Sequence, residues 1–275
     1  MPRVSETPLV KLKDLSKKFR VSGIWIKDES KNPFGTIKDR RSAALFDEAN
    51  KFKVDKLVLI TSGNNGYSLA RFAAGTAIKV ICIVNRRIAK SVKKVLEGPA
   101  YQVIEHNLDH KILRPEEIIS FGRETEEEVI WDATNGYEDA YATIVAEILD
   151  KCPDVDYVVV PVGSGGIYMG FVQAFERRKS KTKVIGIGTQ NTSVSFADKL
   201  ATPWTPYAKA LKYYHGQGHT IFRVPENKIK STFLDFQHVT DCEPSSAIVF
   251  SVFALMKFSS KDKIVLVNSG KSILG

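Results

Sequence analysis

A recurring pattern constrains the fold most: a short apolar run, a glycine-containing loop and then a helical pattern. The run "KLVLITSGNNG" leads into "YSLARFAAG", and "YVVVPVGSGG" leads into "IYMGFVQAFERR". Three more runs of this kind are "KVICIVN", "KVIGIGTQ" and "KIVLVNSG". Apolar strands without polar alternation are typical of parallel sheets that are covered on both faces. The sequence therefore predicts an α/β fold of parallel sheets with helices on both faces.

The pattern after the second glycine loop predicts an amphipathic helix. Ile167, Phe171, Ala174 and Phe175 fall on one face, and the charged run from Glu176 to Arg178 ends the helix on the solvent side. Between the two units of the pattern lies the acidic stretch 121–150, which has both strand-like and helix-like pieces. We interpret it as the connection between two subdomains.

Length and composition fit a soluble globular protein. The chain has 275 residues, of which 43% are hydrophobic and 26% charged, enough for one large domain or two of ordinary size. No apolar run approaches the ~20 residues of a membrane helix, and the N-terminus has no apolar signal core. We therefore expect a cytoplasmic protein.

The net charge of +9 comes from dispersed basic residues mixed with 31 acidic ones. That distribution disfavours a nucleic-acid partner and suits a small anionic substrate or cofactor. Three distant cysteines form no CxxC pair, and five histidines form neither HxxxH nor HExxH. We expect reduced thiols and no metal site.

The loop Gly163-Ser164-Gly165-Gly166 lies between a predicted strand and a predicted helix. Its backbone N–H groups and the helix dipole can hold a phosphate, although a tight glycine turn explains the letters equally well. A dinucleotide fingerprint GxGxxG would need glycine at position 168, which is Tyr168. The ending "SGKS" fails as a nucleotide loop because Val265 stands where GxxxxGKS needs its first glycine.

A second loop, Ser62-Gly63-Asn64-Asn65-Gly66, collects a hydroxyl, two amides and backbone donors at a strand end. These donors suit an anion such as a carboxylate. Asn-Gly and Ser-Gly also mark ordinary turns, so both interpretations stay open for this loop alone.

Lys38 follows a turn containing Asn32-Pro33 and Gly35 and opens an amphipathic run. A lysine attacks carbonyl groups when burial or nearby cations lower its pKa, and Arg40 and Arg41 are close in sequence. Since the chain has 40 lysines and arginines, a solvated surface charge is the other interpretation.

Five segments in order resemble the β family of pyridoxal-phosphate enzymes (fold type II), which includes tryptophan synthase β chains, cysteine synthases, threonine synthases and serine/threonine dehydratases. "TPLVKL" resembles the family's opening, and "NPFGTIKDR" resembles the lysine motif N-P-[ST]-x-[ST]-[IVF]-K-D-R. "TSGNNG" is similar to TSGNTG or SSGNHG. "GSGG" stands at the phosphate-binding glycines, and "NSG" resembles the segment at the cofactor's pyridine nitrogen.

The resemblance implies the cofactor pyridoxal 5'-phosphate and a role for each matched residue. Lys38 would bind the cofactor covalently and move the substrate's α-proton. Asn64 would hydrogen-bond the cofactor's 3-oxygen, and Ser269 would face the pyridine nitrogen. The cofactor's phosphate would be held by Gly163, Ser164, Gly165 and Gly166. The substrate carboxylate would be bound by Thr61, Ser62, Gly63 and Asn65.

The resemblance also implies two parallel-sheet domains with the cofactor in the cleft between them. The smaller, mobile domain would span 35–134, and the larger one would combine 1–34 with 135–275. A homodimer is the expected assembly. A serine at the pyridine nitrogen suits elimination and replacement better than transamination.

Three functions remain open from the sequence. "IWIKDESKNPFGTIKDR" and "NGYEDAYATIVAEI" resemble threonine synthases most, which predicts O-phosphohomoserine as the substrate and Arg86, Arg87 and Asn135 as candidates for a second phosphate pocket. Cysteine-synthase-like sulfhydrylation or a serine/threonine dehydratase is the alternative. The third is a non-catalytic regulatory or partner subunit that retains the fold. Phe34, Arg41 and Ile167 depart from the family's pattern.

Overall fold

The structure is a computed structural model that describes residues 3–109, 112–202 and 204–273. The chain divides into two compact units. Unit 1 comprises Met1–Val4, Pro33–Tyr137 and Ser272–Gly275, and unit 2 comprises Ser5–Asn32 and Glu138–Lys271. The predicted smaller domain, 35–134, lies within unit 1.

In the described residues the strands are β1 Leu9–Lys11, β2 Gly23–Asp28, β3 Lys56–Ile60, β4 Lys79–Asn85, β5 Gln102–His106, β6 Ile130–Asp132, β7 Tyr157–Val162, β8 Lys183–Thr189, β9 Thr220–Val224 and β10 Lys263–Asn268. The α-helices are α1 Lys13–Phe19, α2 Lys38–Lys51, α3 Asn64–Ala73, α4 Lys90–Glu97, α5 Pro115–Ser120, α6 Ala142–Lys151, α7 Gly166–Arg177, α8 Ala208–Gly216, α9 Glu226–Phe236, α10 Pro244–Ala247 and α11 Val252–Leu255. Short 3-10 helices span Glu29–Lys31, Glu138–Tyr141, Asp198–Leu200 and Ile248–Ser251.

Unit 1 contains a parallel sheet with the strand order β5-β4-β3-β6. Successive residues of a strand point to opposite faces, so β3 supplies two cores. Leu57 and Leu59 pack in one apolar cluster with residues of α2 and α3. Val58 packs in a second cluster with Ile118 of α5. The four residues after Lys56 in this strand are all apolar because helices cover both of its faces.

Unit 2 contains a sheet with the order β1-β2-β10-β7-β8-β9, in which β1 is antiparallel to β2 and the other neighbours are parallel. Ile264 and Leu266 of β10 pack in one core cluster together with Ile229 of α9. Helix α7 contacts β7 and β8, and α6 packs on α7. The carboxyl ends of the parallel strands meet at one edge of this sheet.

Helix α7 carries the predicted buried face, since Ile167, Phe171, Ala174 and Phe175 are all buried. The opposite side of its first turns is buried as well, because the 3-10 helix Glu138–Tyr141 covers it. A Cβ atom added to Gly170 would lie 2.4 Å from the carbonyl oxygen of Glu138. A glycine at this position lets the two elements touch.

The five predicted strands are all present, as β3, β4, β7, β8 and β10, and the predicted α/β class is confirmed. Within the described ranges, no helix is both long enough and apolar enough to cross a bilayer.

Candidate active site

Lys38 is the first residue of α2, and a buried carboxylate fixes the turn before it. Asp39 accepts hydrogen bonds from the backbone N–H of Phe34 at 2.7 Å and from the Ser68 hydroxyl at 2.6 Å. One side chain thus joins the turn 33–37 to α2 and α2 to α3. The Lys38 side chain is half-buried, so its position is set while part of it stays accessible.

The loop Thr61–Asn65 follows β3 and leads into α3. The Thr61 oxygen accepts from the N–H groups of Gly63 at 3.1 Å and Gly66 at 3.0 Å. Gly63 has φ +137°, a conformation that side chains rarely adopt, and a Cβ on Gly66 would lie 2.6 Å from the Thr61 methyl group. Thr61 is therefore the residue that shapes this loop. The remaining polar side chains are an exposed Ser62, a half-buried Asn65 and a buried Asn64 that begins α3.

Arg41 is a residue of this unit whose role the sequence did not reveal. It lies one turn after Lys38 on α2, is 4% exposed, and donates a hydrogen bond to the Asn65 side chain. The sequence marked Arg41 as a cation near Lys38 and as a departure from the family's pattern, and neither signal pointed to Asn65.

In unit 2, the glycine loop connects the end of β7 to α7. The first N–H groups of α7, at Gly166, Ile167 and Tyr168, have no acceptor within the helix. Gly165 has φ +108°, so a side chain there would be strained, and its Cβ would also lie 3.2 Å from the Tyr207 ring. The loop therefore presents backbone donors and the positive end of a helix dipole, which is the arrangement that binds phosphate.

Residues 199–200 and 205–207 pack along the glycine loop. A Cβ on Gly163 would lie 3.3 Å from the Lys199 carbonyl oxygen. The Thr205 hydroxyl donates to the Ser164 carbonyl oxygen, and the Tyr207 hydroxyl donates to the Glu138 carboxylate. These contacts fix the loop from its carbonyl side and leave its amide groups as the donors.

Ser269 follows β10 directly, and β10 lies beside β7, so Ser269 and the glycine loop occupy the same edge of the sheet. The buried hydroxyl of Ser269 is 2.8 Å from the Ser246 hydroxyl. The preceding Asn268 donates to the Asp28 carboxylate at 2.8 Å and to the Asp241 carbonyl oxygen at 3.0 Å. The strand end that carries Ser269 is thereby held on both sides.

The predicted site residues thus form two sets, one in each unit. Unit 1 brings together Lys38 and the carboxylate loop, and unit 2 brings together the phosphate loop and Ser269. Backbone amides at a helix start and a buried neutral hydroxyl are donors and acceptors of the kinds that a phosphate and a pyridine nitrogen require, so the residues present fit the predicted cofactor. Among the described residues, no group of three or more histidine, cysteine or acidic side chains is arranged to hold a metal ion.

Comparison with known proteins identifies the class of protein. A family described as pyridoxal-phosphate-dependent enzymes matches residues 1–270, and the chain belongs to this family. Its cofactor is pyridoxal 5'-phosphate, which confirms the prediction.

Among curated relatives, a cysteine synthase of Flavobacterium sp. is 29% identical over 196 residues, covering 67% of this chain and 62% of that protein. Two solved structures share the fold. An O-acetylserine-dependent cystathionine β-synthase from Helicobacter pylori has a TM-score of 0.81 at 17% identity, covering 98% of this chain and 93% of the other. A pyridoxal 5'-phosphate-dependent aspartate racemase has a TM-score of 0.80 at 15% identity, covering 98% and 91%.

Proposed function

We propose that this protein is a cysteine-synthase-like enzyme that catalyses elimination or replacement at the β-carbon of an activated L-serine. The observation that carries the proposal is the similarity to a cysteine synthase over two thirds of the chain, within a family that uses pyridoxal phosphate. The H. pylori enzyme of the same fold is also described as dependent on an activated serine, O-acetylserine.

The two sets of residues would act on one bound cofactor. Gly163, Ser164, Gly165 and Gly166 would hold its phosphate, Asn64 its 3-oxygen, Ser269 its pyridine nitrogen and Lys38 its carbonyl carbon. When bound, the cofactor supplies an electron sink that stabilises negative charge on the substrate's α-carbon. A serine hydroxyl at the pyridine nitrogen is a neutral partner, which favours β-elimination over transamination.

Lys38 would accept the α-proton of the substrate on its Nζ atom. Asp39 holds the start of α2 in place, so the backbone of Lys38, from which the amine extends, has a fixed position. Thr61, Ser62 and Asn65 would bind the α-carboxylate together with the backbone of Gly63. The Thr61 oxygen also holds the loop in shape. Fixing the carboxylate orients the α-carbon–hydrogen bond toward Lys38, and orientation of this kind is a large part of the rate enhancement.

The threonine-synthase reaction, which two local segments favoured, stays an untested prediction, and the cysteine-synthase alternative fits the relatives better. The second phosphate pocket that this reaction would need, with Arg86, Arg87 and Asn135 as candidates, also stays a prediction. Arg87 is paired with the Asp109 carboxylate, and the Asn135 carbonyl oxygen accepts from Arg41 at 3.1 Å.

The segments that favoured threonine synthase meet in a buried ion cluster. Lys27 donates to the Glu147 carboxylate and, at 2.6 Å, to the Thr7 carbonyl oxygen. Thr7 donates in turn to the Glu29 carboxylate. Since these side chains bind one another, they stabilise unit 2.

We further propose a homodimer with a smaller domain over 35–134, as the family resemblance implies, and a cytoplasmic location.

The first test is cofactor binding at Lys38. Purified protein should be yellow, and borohydride should bleach the colour and fix the cofactor on the peptide that contains Lys38, as read by mass spectrometry. Lys38→Ala should be colourless, whereas Lys31→Ala, an exposed lysine seven residues earlier, should keep the colour. Cofactor fixed on another lysine would contradict the assignment.

The second test separates the reactions. O-acetylserine, O-phosphoserine, serine, threonine and O-phosphohomoserine are added one at a time while the cofactor's absorbance is recorded. We expect the activated serines to change the spectrum and to yield cysteine when sulfide is present. A response to O-phosphohomoserine alone would favour the threonine-synthase reaction, and an absence of any response would favour the regulatory subunit.

A further inference from the structure

Arg41 is a buried cation whose hydrogen bonds go to one loop and one side chain. Its Nε donates to the Gly136 carbonyl oxygen at 2.8 Å, and its Nη2 donates to the carbonyl oxygens of Ala133 at 2.7 Å and Asn135 at 3.1 Å. The remaining arm, Nη1, donates to Oδ1 of Asn65 at 3.1 Å. The loop 133–136 therefore anchors the guanidinium against the loop that carries Asn65.

The contact with Arg41 determines which way the Asn65 amide faces. A guanidinium has only donors, so the amide must turn its oxygen toward Arg41 and its Nδ2 group away. Rotating the amide by half a turn would oppose two donors and lose a hydrogen bond that is strengthened by charge. Arg41 thus leaves the two N–H bonds of Asn65 as the part of this side chain that is available for a ligand.

Arg41 also brings a positive charge that no acid neutralises. Within residues 3–109, 112–202 and 204–273, its partners are three carbonyl oxygens and one amide oxygen, and no carboxylate pairs with it. A buried charge normally has an ion as its partner. The amide of Asn65 lies directly against this charge. An anion bound by Nδ2 of Asn65 would be attracted by the guanidinium, with only the Asn65 amide between them.

We propose that Arg41 is a positioning residue that makes the Thr61–Asn65 loop selective for the carboxylate of an amino acid. It orients Asn65 as a donor and supplies the positive charge that a carboxylate compensates and a neutral ester does not. The inference rests on the proposed function, because it takes this loop as the carboxylate site.

The test compares a ligand that carries the carboxylate with its neutral methyl ester. Binding of L-serine and of L-serine methyl ester to the holoenzyme is measured from the change in cofactor absorbance. We expect Arg41→Gln to weaken L-serine binding by about 10- to 100-fold, the worth of a charge-assisted hydrogen bond, and to weaken ester binding by less than about threefold. Arg41→Lys should lie in between, because it keeps the charge and loses the fork. Equal loss for both ligands would mean that Arg41 only supports the fold.

A second variant keeps the test decisive if Arg41→Gln does not fold. Asn65→Asp preserves the shape and the contact with Arg41, but it replaces the donor with an anionic oxygen and neutralises the charge. It should lose L-serine binding as strongly as Arg41→Gln while its thermal midpoint is not lowered. An Asn65→Asp enzyme that binds L-serine normally would overturn the inference.

The matched control is Lys56→Met, which removes a buried cation at the opposite end of β3, where Lys56 is 1% exposed. It should lower stability and leave the ratio of the two ligand affinities unchanged.

A wild-type protein that takes up cofactor but binds neither ligand would contradict the proposed function. The orientation of Asn65 is then judged separately in the apoprotein, where the NMR signals of its side-chain amide should move in Arg41→Gln. If they do not move, Arg41 does not position Asn65.

Discussion

The hydroxyl oxygens of Ser246 and Ser269 lie 2.8 Å apart in the interior of unit 2, and Ser246 also lies 2.9 Å from the carbonyl oxygen of Gly270. A carbonyl can only accept, so Ser246 gives its single proton to Gly270. Ser269 is then the donor to Ser246, so Ser246 competes with a pyridine nitrogen for the Ser269 proton. The state of the Ser269 hydroxyl thus depends on a serine 23 residues earlier.

Replacing Ser246 should therefore change the cofactor's spectrum without touching the cofactor. Ser246→Ala releases the Ser269 proton for the pyridine nitrogen, so we expect a shift of the visible absorption maximum opposite in direction to that of Ser269→Ala, which removes this donor. Ser251→Ala, another buried serine of unit 2, is the control and should leave the maximum in place. A spectrum of Ser246→Ala identical to wild type would show that the proton of Ser269 is not held by Ser246.

Thr61 should matter for stability through its oxygen alone. Thr61→Val keeps the shape but removes the acceptor of two backbone N–H groups, and losses of this kind at helix starts cost about 1–2 kcal/mol. Urea unfolding measures this loss in the free energy of unfolding, and Thr61→Ser should recover most of it. Equal stability of the valine and serine variants would contradict the structural role.

The buried cluster around Lys27 should be sensitive to the loss of its cation. Lys27 and Glu29 are both 0% exposed, so Lys27→Met leaves buried acids without their cation at a cost of about 3–5 kcal/mol. Lys31→Met, an exposed change in the same segment, should cost almost nothing. Urea unfolding compares the two, and similar midpoints would mean that the acids find other partners.

Acid stability should depend on Glu128, because hydrogen bonding to Lys56 and to the backbone N–H of Glu124 lowers the pKa of Glu128 to about 2. A carboxylate whose pKa is lower in the folded state than its ordinary 4.5 adds stability above that value. This stability is lost as the pH falls from 4.5 toward about 2. Glu128→Gln should therefore be less stable than wild type at pH 6 and approach it below pH 3, by urea unfolding at each pH. A gap that does not narrow in acid would contradict this pairing.

The parts of the fold that could be predicted are those coded locally. Each of the five apolar runs shows by its own residues that the strand is buried on both faces. In α7, the helical spacing of the buried residues is likewise visible within one segment. The glycine loop and the Lys38 turn were found for the same reason. Strand β9, "TIFRV", has no such run because it lies at the edge of its sheet and is only partly buried.

The rest depends on contacts between distant segments. Arg41 is held by carbonyl groups more than 90 residues later in the chain. Ser246 contacts Ser269, which follows β10, so its role depends on where that strand lies in the sheet. The ranking of threonine synthase first came from the segments "IWIKDESKNPFGTIKDR" and "NGYEDAYATIVAEI", which resemble that enzyme locally. In the fold, Lys27 of the first segment pairs with Glu147 of the second, a contact that the sequence does not reveal.

The pairing of β10 has a consequence for how the chain matures. Asn268 of β10 is bonded to Asp28 of β2, 240 positions earlier, and β10 separates β2 from β7 within the sheet. During synthesis the continuous stretch Pro33–Tyr137 emerges from the ribosome before β10 and can form its own sheet. β2 must meanwhile wait for β10, whose Asn268 is translated 240 positions after Asp28. The nascent chain thus carries an open apolar strand edge until β10 appears, and that interval is when chaperone binding or aggregation would decide the yield of active protein.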